Sequence, residues 1–482
     1  MRNSGLPPLS SWVMFRLVDM SQNAPLSVLY QAIPAMRTPS LPLLTMQEAT
    51  SPEAVADFAH RKLSGTGWEL SKVRKRATRL EPPQAYWVIY ELTINKEEEE
   101  RKLRLVARGA FDRGAWEHLR DQLVQAGNGW PCEPIESVGY PELFDETQHA
   151  YWFFPFDLAL PGLQRACDAK TMWEVFSGLD AITRGGRHSI DRLHVERVRY
   201  TPEISSILRY DIDSSTGGRT QVYGKVQPGQ RGLRTYRIEK SLWHAARESD
   251  GLLTIPRPLG FIDEFGLLLE SAAPGEPVTG ERNSRQFMGA GPAAAGALAV
   301  IHETGLEPDE RIHIESEIER LESVSDQFML VNPKAHFLLS ELVLHLRDHI
   351  ERTYEEEVVP THADLKYDQF IHDDGKYTLI DFDYFALAET SYDLAKYCAY
   401  LIPSQPRDWE DSVAAEATRR AFLRRYLELR PDATLDRFQI YEATILALRA
   451  MTMMWSQHRG WEQAAEVFLV MAQERLNSRL PD

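Results

Sequence analysis

Between Thr361 and Ala395 the chain reads THADLKYDQFIHDDGKYTLIDFDYFALAETSYDLA, and this stretch restricts the possible folds more than any other. Asp364 and Asp381 stand on either side of a short hairpin, with the amide of Gln369 between them. Transfer of a phosphoryl group needs such a set. One carboxylate receives the hydroxyl proton, and an oxygen donor with a second carboxylate holds Mg2+. A carboxylate in Asp364's place also suits an Asx turn or a cap, so the pattern as a whole carries the reading.

The rest of the chain supplies two kinds of structure in sequence. Ser51-Pro52-Glu53 marks a helix start, with Ser as cap and Pro at the first position, and the helix runs to about Leu63. Strand-like runs follow at 69–80, 86–94 and 103–108, then a helix over 113–125. A second β-rich block covers 193–200, 206–212 and 221–226, with a helix over 236–248 and two strands around a turn at 255–270. From Arg285 apolar residues recur at helical spacing, and apart from the hairpin the remainder reads as helices. This predicts an α+β chain with a β-rich N-lobe, a helical C-lobe and a hinge near Glu270 to Pro277. An additional N-terminal α+β cap domain precedes them. The boundaries are 1–180 for the cap, 181–275 for the N-lobe and 276–482 for the C-lobe. Residues 1–46 read as an irregular leader.

At 482 residues the chain exceeds one compact domain. Its net charge of −17 disfavours a nucleic-acid or anionic-membrane surface. That charge suits a cationic or neutral small substrate, or simply serves solubility. Cys132, Cys167 and Cys398 show no paired metal spacing and no disulfide framework, which fits a reducing cytoplasm. No run reaches the ~18 apolar residues of a membrane helix.

His362-Ala363-Asp364-Leu365-Lys366, Ile380-Asp381-Phe382-Asp383 and Tyr392-Asp393-Leu394-Ala395 together resemble the catalytic motifs of the aminoglycoside phosphotransferase/choline kinase-like family. The resemblance spans about 192–470. It implies a bilobal protein kinase-like fold and an ATP- and Mg2+-dependent kinase acting on a small hydroxyl-bearing substrate. Asp364 would be the base, and Lys366 would reach the transferring phosphate. Gln369, Asp381 and Asp383 would face the metal. Lys225 would pair with the nucleotide phosphates, oriented by Glu239, with Glu270 at the hinge. Read alone, Lys225 is a strand lysine and Glu239 a helical surface acid. Bacterial maltokinases share the Gln and an extra N-terminal domain, which gives a lean toward a sugar acceptor; an aminoglycoside-like acceptor is the other expectation. Acceptor contacts are expected from 312–331 and 400–411.

Two departures stand out. The turn Tyr200 to Ser206 has no glycine-rich loop, which leaves Ser205 and Ser206 as hydroxyl donors. Ala363 replaces the family's Gly. The second is a mild change; the missing glycine-rich loop supports an alternative, a pseudokinase-like nucleotide-binding or regulatory protein. A protein kinase is disfavoured, because only twelve residues separate Asp381 from Asp393. The N-terminal third also echoes the N-lobe. Pro82 and Tyr90 share the spacing of Pro202 and Tyr210, Arg108 falls near the position of Lys225, and Glu117 falls near that of Glu239. A degenerate second copy of the N-lobe is the expectation there.

Overall fold

The computed structural model describes residues 46–478, apart from 47, 82–84, 128–140, 184–188, 215–217 and 405–411. The expected leader falls almost wholly outside the described residues.

Two antiparallel sheets of like construction open the chain. In the first, β1 (Glu69–Glu81), β2 (Ala85–Lys96) and β3 (Glu99–Ala110) form a meander. A helix, Arg113–Gly127, and the strands β4 (Glu142–Phe144) and β5 (His149–Phe153) complete the order β1-β2-β3-β5-β4. The second repeats this with β6 (Arg192–Thr201), β7 (Ser205–Ser214), β8 (Gly218–Val226), the helix Arg231–Glu248, β9 (Pro258–Ile262) and β10 (Leu267–Ser271), ordered β6-β7-β8-β10-β9.

The likeness extends to single side chains. Tyr90 and Tyr210 are buried on the middle strands. Tyr90 donates its hydroxyl to Thr50 O, just before the capped helix Pro52–Leu63. Tyr210 donates to Ala166 O at 2.9 Å, just before the capped helix Ala169–Ser177. A buried phenol needs an acceptor, and each unit supplies one at the same place. By register Arg108 lies between Trp87 and Ala150, as Lys225 lies between Ile207 and Leu268.

The faces differ. In the first sheet Trp87, Trp116 and Trp152 fill the face that in the second carries Lys225 and Glu270. Apolar residues thus occupy both faces of β2, which is why its sequence reads as a nearly continuous hydrophobic run. Glu117 is not the counterpart of Glu239. It pairs with Arg113 one turn away at the surface, and the burial pattern places Leu123 where Glu239 stands.

The helices Leu163–Cys167 and Ala169–Ser177 pack into the core of the second sheet with Leu208, Tyr210 and Val222. The boundary expected at 180 therefore falls too late, because these helices belong with the second sheet.

After β11 (Glu276–Pro277) the chain becomes helical. Ser284 caps Arg285–Glu303 by accepting from Phe287 N. This helix shares one core with Ile314–Val331, Pro333–Glu351, Ser391–Leu401, Ser412–Leu429, Phe438–Ser456 and Trp461–Leu476. Two small ladders are set into it. One pairs β12 (Val358–Thr361) with β15 (Ala386–Glu389), and the other joins β11, β13 (Phe370–Asp373) and β14 (Lys376–Leu379). The result is the expected two-lobed, protein kinase-like arrangement. The first sheet's core also rests on Trp455 of the helical lobe. Among the described residues no helix is long and apolar enough to cross a membrane.

Candidate functional site

Asp393, in the first turn of Ser391–Leu401, sets the floor of the site. Its carboxylate accepts from His362 N at 2.7 Å and Ala363 N at 2.8 Å. These bonds hold Ala363 at φ +63°, a left-handed conformation that favours glycine. Ala in the family's Gly position is thus a strained choice that Asp393 stabilises. His362 is fully buried, donates Nε2 to Ile380 O at 3.2 Å and packs on Phe382. It braces the loop.

The loop presents Asp364, and three side chains converge on it. Lys366 Nζ lies 2.6 Å from Oδ2 and Lys396 Nζ 3.3 Å from Oδ1. Gln369 Nε2 donates to Oδ2 at 3.2 Å. Burial alone would lower the pKa of either lysine, but the Asp364 carboxylate, with Tyr400 and, for Lys396, Tyr392, raises both. The lysines are therefore ammonium ions.

Lys225 binds both remaining carboxylates, with Nζ 2.5 Å from Asp381 and 2.6 Å from Asp383. Burial opposes charge on Lys225, yet Asp383 and Asp381 raise its pKa. The reciprocal holds for Asp381: burial would raise it, but Lys225 keeps it well below the usual carboxylate range. Asp381 sits at φ +76°, a second strained position at the site.

Several expected site residues are placed differently. Among the described residues Glu239 makes no ion pair with Lys225, because Asp381 and Asp383 occupy that ammonium. Glu239 is buried, and its Oε2 has no hydrogen-bond partner. Burial pushes Glu239 and Glu270 upward, each also feeling Asp381 and Asp383, and only Lys225 offsets this. Gln369 uses Oε1 to accept from Lys366 N at 3.0 Å, so its oxygen serves the loop rather than facing a metal. Ser206 is buried and donates its hydroxyl to Arg199 O, since a buried hydroxyl takes a nearby carbonyl. Ser205 is half-buried opposite Thr201 at the start of β7.

The turn that stands in for a glycine-rich loop is tight. Ile204 N donates to Thr201 O, with Pro202 and Glu203 between and Glu203 at φ +61°. This has the features of a type II turn, which usually takes glycine at the third position. Contacts from the preceding segment hold it. Asp157 accepts from Glu203 N at 2.9 Å and from Tyr200 OH at 2.8 Å, and Arg108 binds the Glu203 carboxylate.

A cleft of about 580 Å³ opens beside Asp364 and Asp383. Ile312 and Tyr400 line it, from the two regions expected to meet an acceptor, and residues of Phe438–Ser456 line it as well. Sequence reading missed Lys396, Arg231 and Arg311 in its wall. Only Lys396 left a signal: it lies three residues after Asp393 on a helix, the spacing that puts two side chains on one face.

A β-rich lobe over a helical lobe, with these loops between them, defines a protein kinase-like fold. Residues 214–440 match the family model of the phosphotransferase enzyme family, which agrees with the resemblance read from the motifs. The chain is also similar to choline kinase LicA from Streptococcus pneumoniae, at 16% identity over 63% of this chain and 99% of that one, TM-score 0.42. Choline kinase from Cryptosporidium parvum Iowa II is 12% identical over 64% of this chain and 95% of that one, TM-score 0.45. The GDP complex of aminoglycoside 2'-phosphotransferase-IIIa is 15% identical over 64% and 99%, TM-score 0.43. No curated protein matches the chain.

Proposed function

We propose that this protein transfers the terminal phosphoryl group of ATP, with Mg2+, to a hydroxyl of a small molecule. The observation that carries the reading is the convergence of Asp364, Asp381, Asp383 and Lys225 where the two lobes meet.

The donor set fits a hard dication. Asp383 Oδ1 is buried without a hydrogen-bond partner, and its carboxylate shares Lys225 with Asp381. Asp381 and Asp383 would hold the ion, which when bound neutralises charge on the nucleotide phosphates. Lys225, freed from one carboxylate, would meet phosphate oxygens.

Asp364 faces the cleft and takes the acceptor's hydroxyl proton as the new oxygen–phosphorus bond forms and the bond to the ADP oxygen breaks. Lys396, Lys366 and Gln369 hold that carboxylate in place. The few cysteines, with no paired spacing in the sequence, support a cytoplasmic setting. A sugar-like hydroxyl compound fits the cleft by volume.

The tight Thr201–Ile204 turn favours a second reading, a protein that binds nucleotide without transferring phosphate. Thermal denaturation with ATP, with and without Mg2+, and with ADP release followed in parallel, separates the two. A Mg2+-dependent rise in Tm together with ADP release on adding an acceptor supports the kinase. A rise in Tm without ADP release across sugars, aminoglycosides, amino alcohols and their acidic derivatives supports the binding protein.

A further inference from the structure

We infer that the acceptor is an anion: a hydroxyl compound that also carries a carboxylate or phosphate group. The inference rests on the phosphotransferase reading of the cleft. It concerns the basic residues that line the cleft with Asp364, which neither the family match nor the motifs describe.

The acids of the wall are all engaged. Glu310 pairs with Arg234, and Glu317 lies 3.9 Å from Arg320. Asp364 has two lysines, and Asp383 has Lys225. The cations are not balanced in return. Arg231 and Arg311 line the same cleft, and among the described residues neither has a carboxylate within 4.0 Å. Behind the wall Arg449 is buried and, among the described residues, makes no ion pair; it is hydrogen-bonded to Ala399 O and to Ser404 Oγ at 2.9 Å. Arg231 is half-buried, bonded to Tyr384 and within reach of the field of Asp383 and Asp381, and Arg311 is exposed at the cleft, so both keep guanidinium donors that an anion could meet.

The aromatic residues support the same conclusion. A quaternary or primary ammonium acceptor is held by open aromatic faces and free acids. Here the protein's own cations already approach those rings. Arg231 stacks on Tyr384, 4.6 Å from the ring centroid. Lys366, Lys396 and Arg449 lie 5.2, 5.4 and 4.7 Å from the ring centroid of Tyr400. A cationic acceptor would meet repulsion here, whereas a carboxylate or phosphate would gain charge-assisted hydrogen bonds from Arg231 and Arg311. The whole-chain charge of −17 gives no hint of this, because it averages over a surface that the acceptor never touches.

The test is calorimetric binding to the full chain saturated with AMP-PNP and Mg2+, using matched probes. Glycerol is compared with glycerate and glycerol 3-phosphate, and glucose with gluconate and glucose 6-phosphate, with choline as the cation. At least one anion is expected to bind about 10-fold or more tightly than its neutral counterpart and than choline. The carboxylate and phosphate arms show which anion is preferred. Arg311→Ser is expected to remove most of that preference while leaving AMP-PNP affinity within about 2-fold. The inference is overturned if the neutral probes or choline bind as tightly as the anions. It is also overturned if Arg311→Ser and Arg231→Ser weaken AMP-PNP and leave the anion preference intact, since the arginines would then serve the nucleotide. Failure of AMP-PNP to bind at all would instead remove the phosphotransferase reading on which this rests.

Discussion

Arg108 Nε lies 3.1 Å from Glu203 Oε1, and this contact joins the first sheet to the Thr201–Ile204 turn between β6 and β7 of the second. Both side chains are mostly shielded, at 15% and 17% exposure, and Arg108 also stacks on Trp87. At the register position of Lys225, the first sheet thus carries a cation that points at its neighbour's turn. Removing one partner of a shielded, hydrogen-bonded pair costs about 1–3 kcal/mol. Arg108→Gln is therefore expected to lower stability by that amount in urea unfolding. It is also expected to raise the KM for ATP several-fold, because the Thr201–Ile204 turn loses a support. An unchanged KM would separate the first sheet from nucleotide binding.

Ala363 offers a test of strain. At φ +63° an L-residue sits about 1 kcal/mol above glycine, which visits this region freely. Ala363→Gly is expected to stabilise the protein by up to about 0.6 kcal/mol, net of the added freedom of the unfolded chain. Urea titration of the two proteins reads this directly. A destabilised Gly variant would mean that the Ala363 methyl group packs more favourably than its backbone is strained.

His149 gives the first sheet a pH dependence. It is buried against Phe144, and burial outweighs its bond to Thr147, so its pKa falls from 6.5 to about 4. Between about pH 6.5 and 4 the unfolded chain binds a proton that the folded chain refuses. Stability therefore falls as pH falls through that window, by up to about 3 kcal/mol at 1.36 kcal/mol per unit. His149→Phe is expected to flatten this part of the profile, measured as urea midpoints from pH 7.5 to 4.5. Parallel profiles for the two proteins would show that His149 stays protonatable when folded.

The metal reading is tested at Asp381. Asp381→Ala removes one of the two carboxylates on Lys225. The Mg2+ dependence of ATP binding is expected to disappear, since Mg2+ needs charged oxygen donors beyond the phosphates to be held at the site. Titration of ATP binding against Mg2+ checks this, and a retained Mg2+ effect would place the ion elsewhere.

Local signals explain what the sequence revealed. Thr361 to Ala395 gave the loops because Asp364, Asp381 and Asp393 act within one continuous stretch. Tyr90 and Tyr210 pointed to the twin sheets through their shared spacing from Pro82 and Pro202, and in the fold each donates to a carbonyl just before a helix. Contacts across long separations were not legible. Lys225 binds Asp381 and Asp383 rather than Glu239, and Asp157 and Arg108 hold Glu203 from another part of the chain. Aligning the two copies along the sequence matched Glu117 to the position of Glu239, whereas burial in the folded state selects Leu123.

The central claim is that Asp364 receives the acceptor's proton. Asp364→Asn preserves shape and leaves one acceptor oxygen for the donors on one side, Lys366 with Gln369 or Lys396, but it cannot take that proton. The measurement is ADP release by the variant with a working acceptor, beside its affinity for AMP-PNP and Mg2+. Turnover is expected to fall by about 10²–10⁴-fold with nucleotide affinity nearly unchanged. Near-normal turnover in Asp364→Asn would contradict the account.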